Sequence, residues 1–269
     1  MRSTLTMFRA SLLSIVRDRQ TLVGAMMFPT IFLLAFAAFD IGLTDGGLSS
    51  GGGEVDYFTF VLPGILAMAS VQFSVFWTSG SYARLGETKV LRRLEATPIP
   101  RGAFLAGQVV ARLIVVAVQA AIVIGVGVLL GASIAGNPAW MILMTLVAAA
   151  TFLSVGFAIG ARASNVDSAN MIAGMTVMPL VFLSGAWFPI TGLPDWLETI
   201  MQALPLAPLM EGLRGVAIDG ASLVEVVGHI AQVAMWIPVT FALAVIAMRP
   251  KRTTIGQRAI PTQLSEASV

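Results

Sequence analysis

Cysteine is absent from the 269 residues, and histidine occurs once, at His229. Disulfides, zinc–cysteine centres and thiol catalysis are therefore excluded, and no centre that needs two histidines fits in one chain. Charge is scarce as well. Asp, Glu, Lys and Arg make up 11% of the chain, against roughly 25% in a soluble domain. A soluble fold of this length needs more charged surface, which excludes a cytosolic globular enzyme, a nucleic-acid binder and a disordered chain. The usual catalytic and nucleotide signatures are missing too. There is no GxxxxGK[ST] phosphate loop, no GxSxG elbow and no HExxH helix.

What is present is apolar. Hydrophobic residues form 57% of the chain, and they fall into runs long enough to cross about 30 Å of hydrocarbon, which takes about 20 residues. Six spans are expected, at about 22–39, 58–80, 113–131, 140–161, 171–189 and 226–248. The class is an all-α integral membrane protein forming a single transmembrane domain over 1–269. Arginine greatly outnumbers lysine, and alanine, valine and glycine abound, which suggests a GC-rich bacterial genome.

The few charges are sorted. Arg2, Arg9, Arg17 and Arg19 precede the first span. Arg84, Lys89, Arg92, Arg93 and Arg101 lie between the second and third, with Arg112 at the edge of the third. Arg162 follows the fourth, and Arg249, Lys251, Arg252 and Arg258 follow the sixth. The alternate connections are acidic or uncharged: Asp40, Asp45, Glu54 and Asp56 in the first, and mainly acids with Arg214 in the last. The positive-inside rule then puts both termini in the cytoplasm of a multi-pass bacterial plasma-membrane protein. Ala35-Phe36-Ala37 resembles a signal-peptidase site, but the 21 residues before the first span and its long apolar stretch favour a retained span.

Residues 2–20 place Leu5, Phe8, Leu12, Ile15 and Val16 on one helical arc with arginines beside or opposite it. Such a helix suits the inner membrane surface, either as a lead-in to the first span or as a lever moved by a cytoplasmic partner. No Asp, Glu, Lys or Arg falls inside the spans as drawn. Ion-coupled transporters usually carry such groups, so this chain is expected to draw its energy from a partner, and its substrate path is expected to be apolar and charge-free. His229, beside Glu225, reads as a satisfied interfacial residue at the outer end of the sixth span. Gly127-x-x-x-Gly131 and Gly156-x-x-x-Gly160 are close-approach motifs, with packing inside one bundle favoured over a dimer seam.

Two motifs stand out. In the basic loop 84–101, residues 87–95 combine helix-forming residues with an apolar face of Val90, Leu91 and Leu94, and Pro98 and Pro100 stop the helix. Such a helix can seat in a groove of a cytoplasmic partner. The second motif runs from Pro179 through Gly185, Trp187, Phe188 and Pro189, then through Leu193-Pro-Asp-Trp196 to Leu213-Arg214-Gly215. Trp196, Leu197, Ile200 and Leu204 recur at helical spacing, and tryptophans suit the membrane interface. Broken, re-entrant backbone is tolerated only under protein or beside water, so the segment reads as an outer gate, with a purely structural cap as the plainer role.

With these residues the chain resembles the ABC-2 family of ABC transporter permeases, especially the drug-exporter-like members. The resemblance rests on Glu87 to Leu94 followed by Ala96-Thr97-Pro98, on Leu183 to Pro189, on Leu193 to Leu197, and on Pro205 to Gly215. It implies half of an exporter pore for a drug, lipid or glycolipid. A second permease, identical or homologous, and two cytoplasmic ABC ATPase subunits would complete it in a lipid membrane. This chain would be no enzyme and would bind no cofactor or nucleic acid, with ATP and Mg held by the ATPases. Coupling would pass through Glu87, Thr88, Val90, Leu91, Arg92, Arg93, Leu94, Glu95, Thr97 and Pro98. The outer gate would comprise Gly185, Trp187, Phe188, Pro189, Trp196, Leu213 and Arg214. Phe73, Phe76, Trp77 and Phe182 could line the substrate path, although core packing is the plainer role for each. A related sensor or assembly component without transport, or an unrelated six-span channel, are the competing classes.

Overall fold

A computed structural model describes residues 13, 17–43, 57–90, 101–184 and 194–248. Among the described residues the chain is helical, with no strand. Helix α1 spans Arg19–Leu43 and α2 spans Tyr57–Gln72. A π-helical turn, Phe73–Trp77, joins α2 directly to α3, Thr78–Glu87. Helix α4 spans Arg101–Leu129, α5 Pro138–Arg162 and α6 Val166–Phe182. Two short helices follow, α7 (Asp195–Ala203) and α8 (Leu206–Ala217), and then α9 (Leu223–Ala234) and α10 (Trp236–Met248).

Four helical stretches among the described residues are long and apolar enough to cross a membrane: 58–87, 104–129, 138–162 and 223–248. Two shorter apolar helices, 23–38 and 166–182, occupy the places of the first and fifth expected spans. Burial ranks them. The apolar window of 58–87 is 89% buried and that of 223–248 only 17%, so the former is the centre of the bundle and the latter its rim. Helix α5 is the common neighbour, packing against α3, α4, α8, α9, α10 and the π turn.

Local sequence explains the ends. Asn137 caps α5 by accepting from Ala139 N–H at 2.9 Å, with Pro138 at the first helical position. Asn165 and Ser168 form a capping box at the start of α6. After Leu129, Gly131 takes a φ of +110°, and Ala132 N–H reaches back to Gly127 O at 3.0 Å. That left-handed closure favours glycine. Within the sixth span, α9 ends at Ala234 and α10 begins at Trp236, with Met235 as a turn between them. Pro238 cannot donate to Ala234 O, and its ring crowds that carbonyl, so the break belongs there.

The glycine motifs pack within the chain. A Cβ on Gly156 would run into Ser74 O, and one on Gly160 would lie 2.6 Å from Ser79 O. The bare backbone of α5 thus rests on the π turn and α3. Gly127 accommodates Leu62 in the same way. Helix α1 runs unbroken through Ala35-Phe36-Ala37 and buries Leu33 and Ala37 in the main core. Its Ala25 O accepts from the buried Gln119 amide of α4 at 2.7 Å, so the segment is an integral part of the bundle.

The helix ends fall into two sets. Arg162 donates to Ala247 O at 2.8 Å and to Ile246 O at 3.2 Å, which joins the ends of α5 and α10 near Glu87 and Val166. At the opposite end, Ala135 and Gly136 N–H donate to Ala217 O and Val216 O, both at 3.0 Å. Among the described residues the first end carries Arg84, Lys89 and Arg162 and is called the basic end, and the second carries Asp219 and Glu225 and is called the acidic end.

Candidate functional site

The π turn positions the site. Its extra residue forces Thr78 N–H to bond five residues back, to Phe73 O, and Thr78 Oγ1 donates to the same carbonyl at 3.3 Å. π turns inside α-helices are frequent at functional sites. Here the turn brings Phe76 and Trp77 to the wall of a cavity of about 290 Å³ between this helix, α4 and the start of α6. Phe73 is buried and lines the same cavity. Gly24 of α1 makes room for the indole of Trp77, since a Cβ there would lie 2.7 Å from the ring.

The same wall carries charge, which corrects the expectation of charge-free spans. Helix α4 begins at Arg101 rather than near Leu113, so Arg112 lies well inside an apolar helix. Its side chain is buried. Nε donates to Thr78 Oγ1 at 3.2 Å, Nη2 donates to Ser81 Oγ at 2.6 Å, and Nη1 donates to Gln108 O at 3.3 Å and also to Gln108 Oε1. The guanidinium carbon stands 5.1 Å from the Phe157 ring centroid, and Tyr82 meets that ring edge-on at 5.4 Å. Burying a guanidinium is costly unless its donors are satisfied. Two hydroxyls, an amide and an aromatic face supply those partners here. Sequence reading missed this because its apolar window began one residue after Arg112; the i, i+4 pair Gln108–Arg112 was the available signal.

The basic end of the site is set by Glu87. Its Oε1 accepts from Val166 N–H, the first residue of α6, at 2.9 Å. A carboxylate at a helix N-terminus satisfies an orphan donor and complements the helix dipole. Helix α3 stops at this residue. Thr88 N–H and Oγ1 both bond to Arg84 O, at 3.0 and 2.8 Å, and Lys89 follows with a φ of 56°. The helix expected over 87–95 therefore cannot begin at Glu87. Val90 follows the turn, and Leu91, Arg92, Arg93, Leu94, Glu95, Thr97 and Pro98 lie outside the described residues.

The expected gate residues divide similarly. Gly185, Trp187, Phe188 and Pro189 lie outside the described residues. Trp196 and Ile200 are exposed on α7 while Met201 is buried, which gives an amphipathic helix at the acidic end. Helix α8 is sunk among α2, α5 and α9. Leu213 is fully buried, and Arg214 holds its guanidinium carbon 4.2 Å from the Phe60 ring centroid. His229 faces Glu211 of α8, with Nδ1 3.9 Å from Oε2. Glu225 instead closes the cap of α9 by accepting from Ser222 N–H at 2.6 Å. Phe182 stands apart from Phe73, Phe76 and Trp77. It is 59% exposed at the end of α6 and does not reach their cavity.

Comparison with known proteins settles the family. A model of the ABC-2 type transporter family matches residues 1–218. The chain belongs to that family. Its members are membrane subunits of transporters, not enzymes in themselves. The chain is also similar to Nodulation protein J of Rhizobium leguminosarum bv. trifolii, 26% identical over 235 residues, covering 85% of this chain and 86% of that protein. Nodulation protein J of Rhizobium meliloti (strain 1021) is 26% identical over 234 residues, with the same coverage.

Proposed function

We propose that this chain is the permease half of an ATP-driven exporter that moves a drug, lipid or glycolipid out of the cytoplasm or inner leaflet. The apolar runs and the charge map support six spans, cytoplasmic termini and a plasma-membrane location. A second permease and two cytoplasmic ABC ATPases would complete the transporter, with ATP and Mg held by the ATPases.

The observation that carries this reading is the cavity at the basic end. It is walled by Phe73, Phe76 and Trp77 and reaches the surface beside the exposed Arg84 and Thr88. An amphipathic molecule needs that combination of an apolar wall and a polar mouth. Beside it, Glu87 at the end of α3, where the basic segment begins, bonds to the first residue of α6. A push on the loop from an ATPase would thus act on both helices flanking the cavity. The exit would lie at the acidic end, near α7 and α8.

Reconstitution of the chain with an ABC ATPase in proteoliposomes tests the reading. Stimulation of ATP hydrolysis by members of a lipid and drug panel, with ATP-dependent movement of the stimulating compound, is the expected result. A chain that conducts without an ATPase, or that associates with none, would overturn it.

A further inference from the structure

We propose that the cavity beneath the π turn is a binding site for an anionic amphiphile, with a phosphate-type oxyanion at Arg84 and Arg112 and an apolar tail against Phe76 and Trp77. Two arginines line it. Among the described residues, the hydrogen-bond acceptors around Arg112 are the neutral Thr78, Ser81 and Gln108. They fix the guanidinium plane. A planar guanidinium held in place is well suited to an oxyanion, because little side-chain freedom is lost on binding.

Arg84 stands at the mouth, one helical turn beyond Ser81, and is exposed. Asp18 also lines the cavity and offsets one of the two positive charges, and Glu87 is engaged with Val166 N–H. The balance of the lining is one net positive charge. Asn170 adds an amide, its Oδ1 held over Gly80. The aromatic side supplies the complementary half, with Phe76 and Trp77 edge-to-face at 5.8 Å.

Size narrows the ligand further. The volume of about 290 Å³ is at the small end of the range of about 300–1,000 Å³ for ligand sites. It suits a headgroup with the first part of a tail rather than a whole glycolipid. A resident phospholipid and an exported amphiphile share this chemistry. The proposal rests on the export reading only where the ligand is called cargo, since binding needs neither an ATPase nor transport.

The test is equilibrium binding of radiolabelled dihexanoyl phosphatidic acid to the full-length chain in nanodiscs of phosphatidylcholine. Saturable binding is expected, with dihexanoyl phosphatidylcholine and inorganic phosphate each at least about tenfold weaker. Arg84→Gln should weaken binding by about tenfold, and Arg112→Lys by a similar factor. Arg162→Gln, a charge removed outside the cavity at the same end, should leave it unchanged. Competition by phosphatidylglycerol built into the nanodisc assigns the site to resident lipid, and absence of competition assigns it to cargo; both sustain the site. Equal binding of the phosphatidylcholine probe, or wild-type affinity in folded Arg84→Gln, would overturn it. Loss of binding with ATP-driven transport intact would remove this site but not the exporter, and binding without transport would do the reverse.

Discussion

Glu87 at the end of α3 accepts a 2.9 Å hydrogen bond from Val166 N–H at the start of α6. The bond joins residues 79 positions apart in sequence. It ties the C-terminal end of α3 to the N-terminus of α6.

Glu87→Gln keeps an oxygen acceptor for Val166 N–H, whereas Glu87→Lys removes it and puts a cation at a helix N-terminus. The lysine variant should lose about 1 kcal/mol of stability, since the bond is exposed. In the reconstituted transporter, substrate should no longer stimulate ATP hydrolysis, while the basal rate persists. The glutamine variant should behave close to the parent. Equal stimulation in all three proteins would show that the bond does not carry coupling.

Arg112 and Thr78 should behave as one unit. Arg112→Lys cannot reproduce the fork to Thr78, Ser81 and Gln108, and should cost about 1–3 kcal/mol by leaving buried acceptors unpaired. Thr78→Val leaves the buried Arg112 Nε–H without its acceptor and should cost a similar amount. Contacting residues in one network are non-additive. The thermal shift of the double variant should therefore fall short of the sum of the single shifts.

Two glycine substitutions of identical chemistry should differ in outcome. Gly156→Ala drives a methyl group into Ser74 O and to 3.1 Å from Thr78 Cβ, with a penalty of about 1–3 kcal/mol or more for overpacking against backbone. Gly174→Ala meets nothing within 4 Å and should stabilise α6 by up to about 1 kcal/mol through helix propensity. Thermal unfolding in a single detergent compares them directly.

Trp77→Leu should raise the substrate concentration needed for half-maximal transport several-fold, because the indole walls the cavity. Phe182→Leu should not change it in the same way, because that ring faces outward away from the cavity. Matching effects of the two variants would place both rings on a common path and contradict the division seen within one chain.

Composition and periodicity alone determined the membrane class, the six apolar segments and their alternation of charge. They also located the motifs on which the family resemblance rests. These are properties of runs, and a bilayer reads runs: twenty apolar residues partition into hydrocarbon whatever their neighbours. The close-approach role of Gly156 and Gly160 was legible for a related reason, since four-residue spacing puts both on one helix face. The tertiary structure decided the rest. Arg112 belongs to the cavity because α4 continues a dozen residues past the apolar window, and the hydroxyls that hold its guanidinium come from a helix about 30 positions earlier. Nothing local marks Glu87 as a cap for α6, or separates Phe182 from Phe76 and Trp77. Those relationships depend on which helices touch and how the π turn rotates the residues after it, and such contacts pair side chains that no run of sequence brings together.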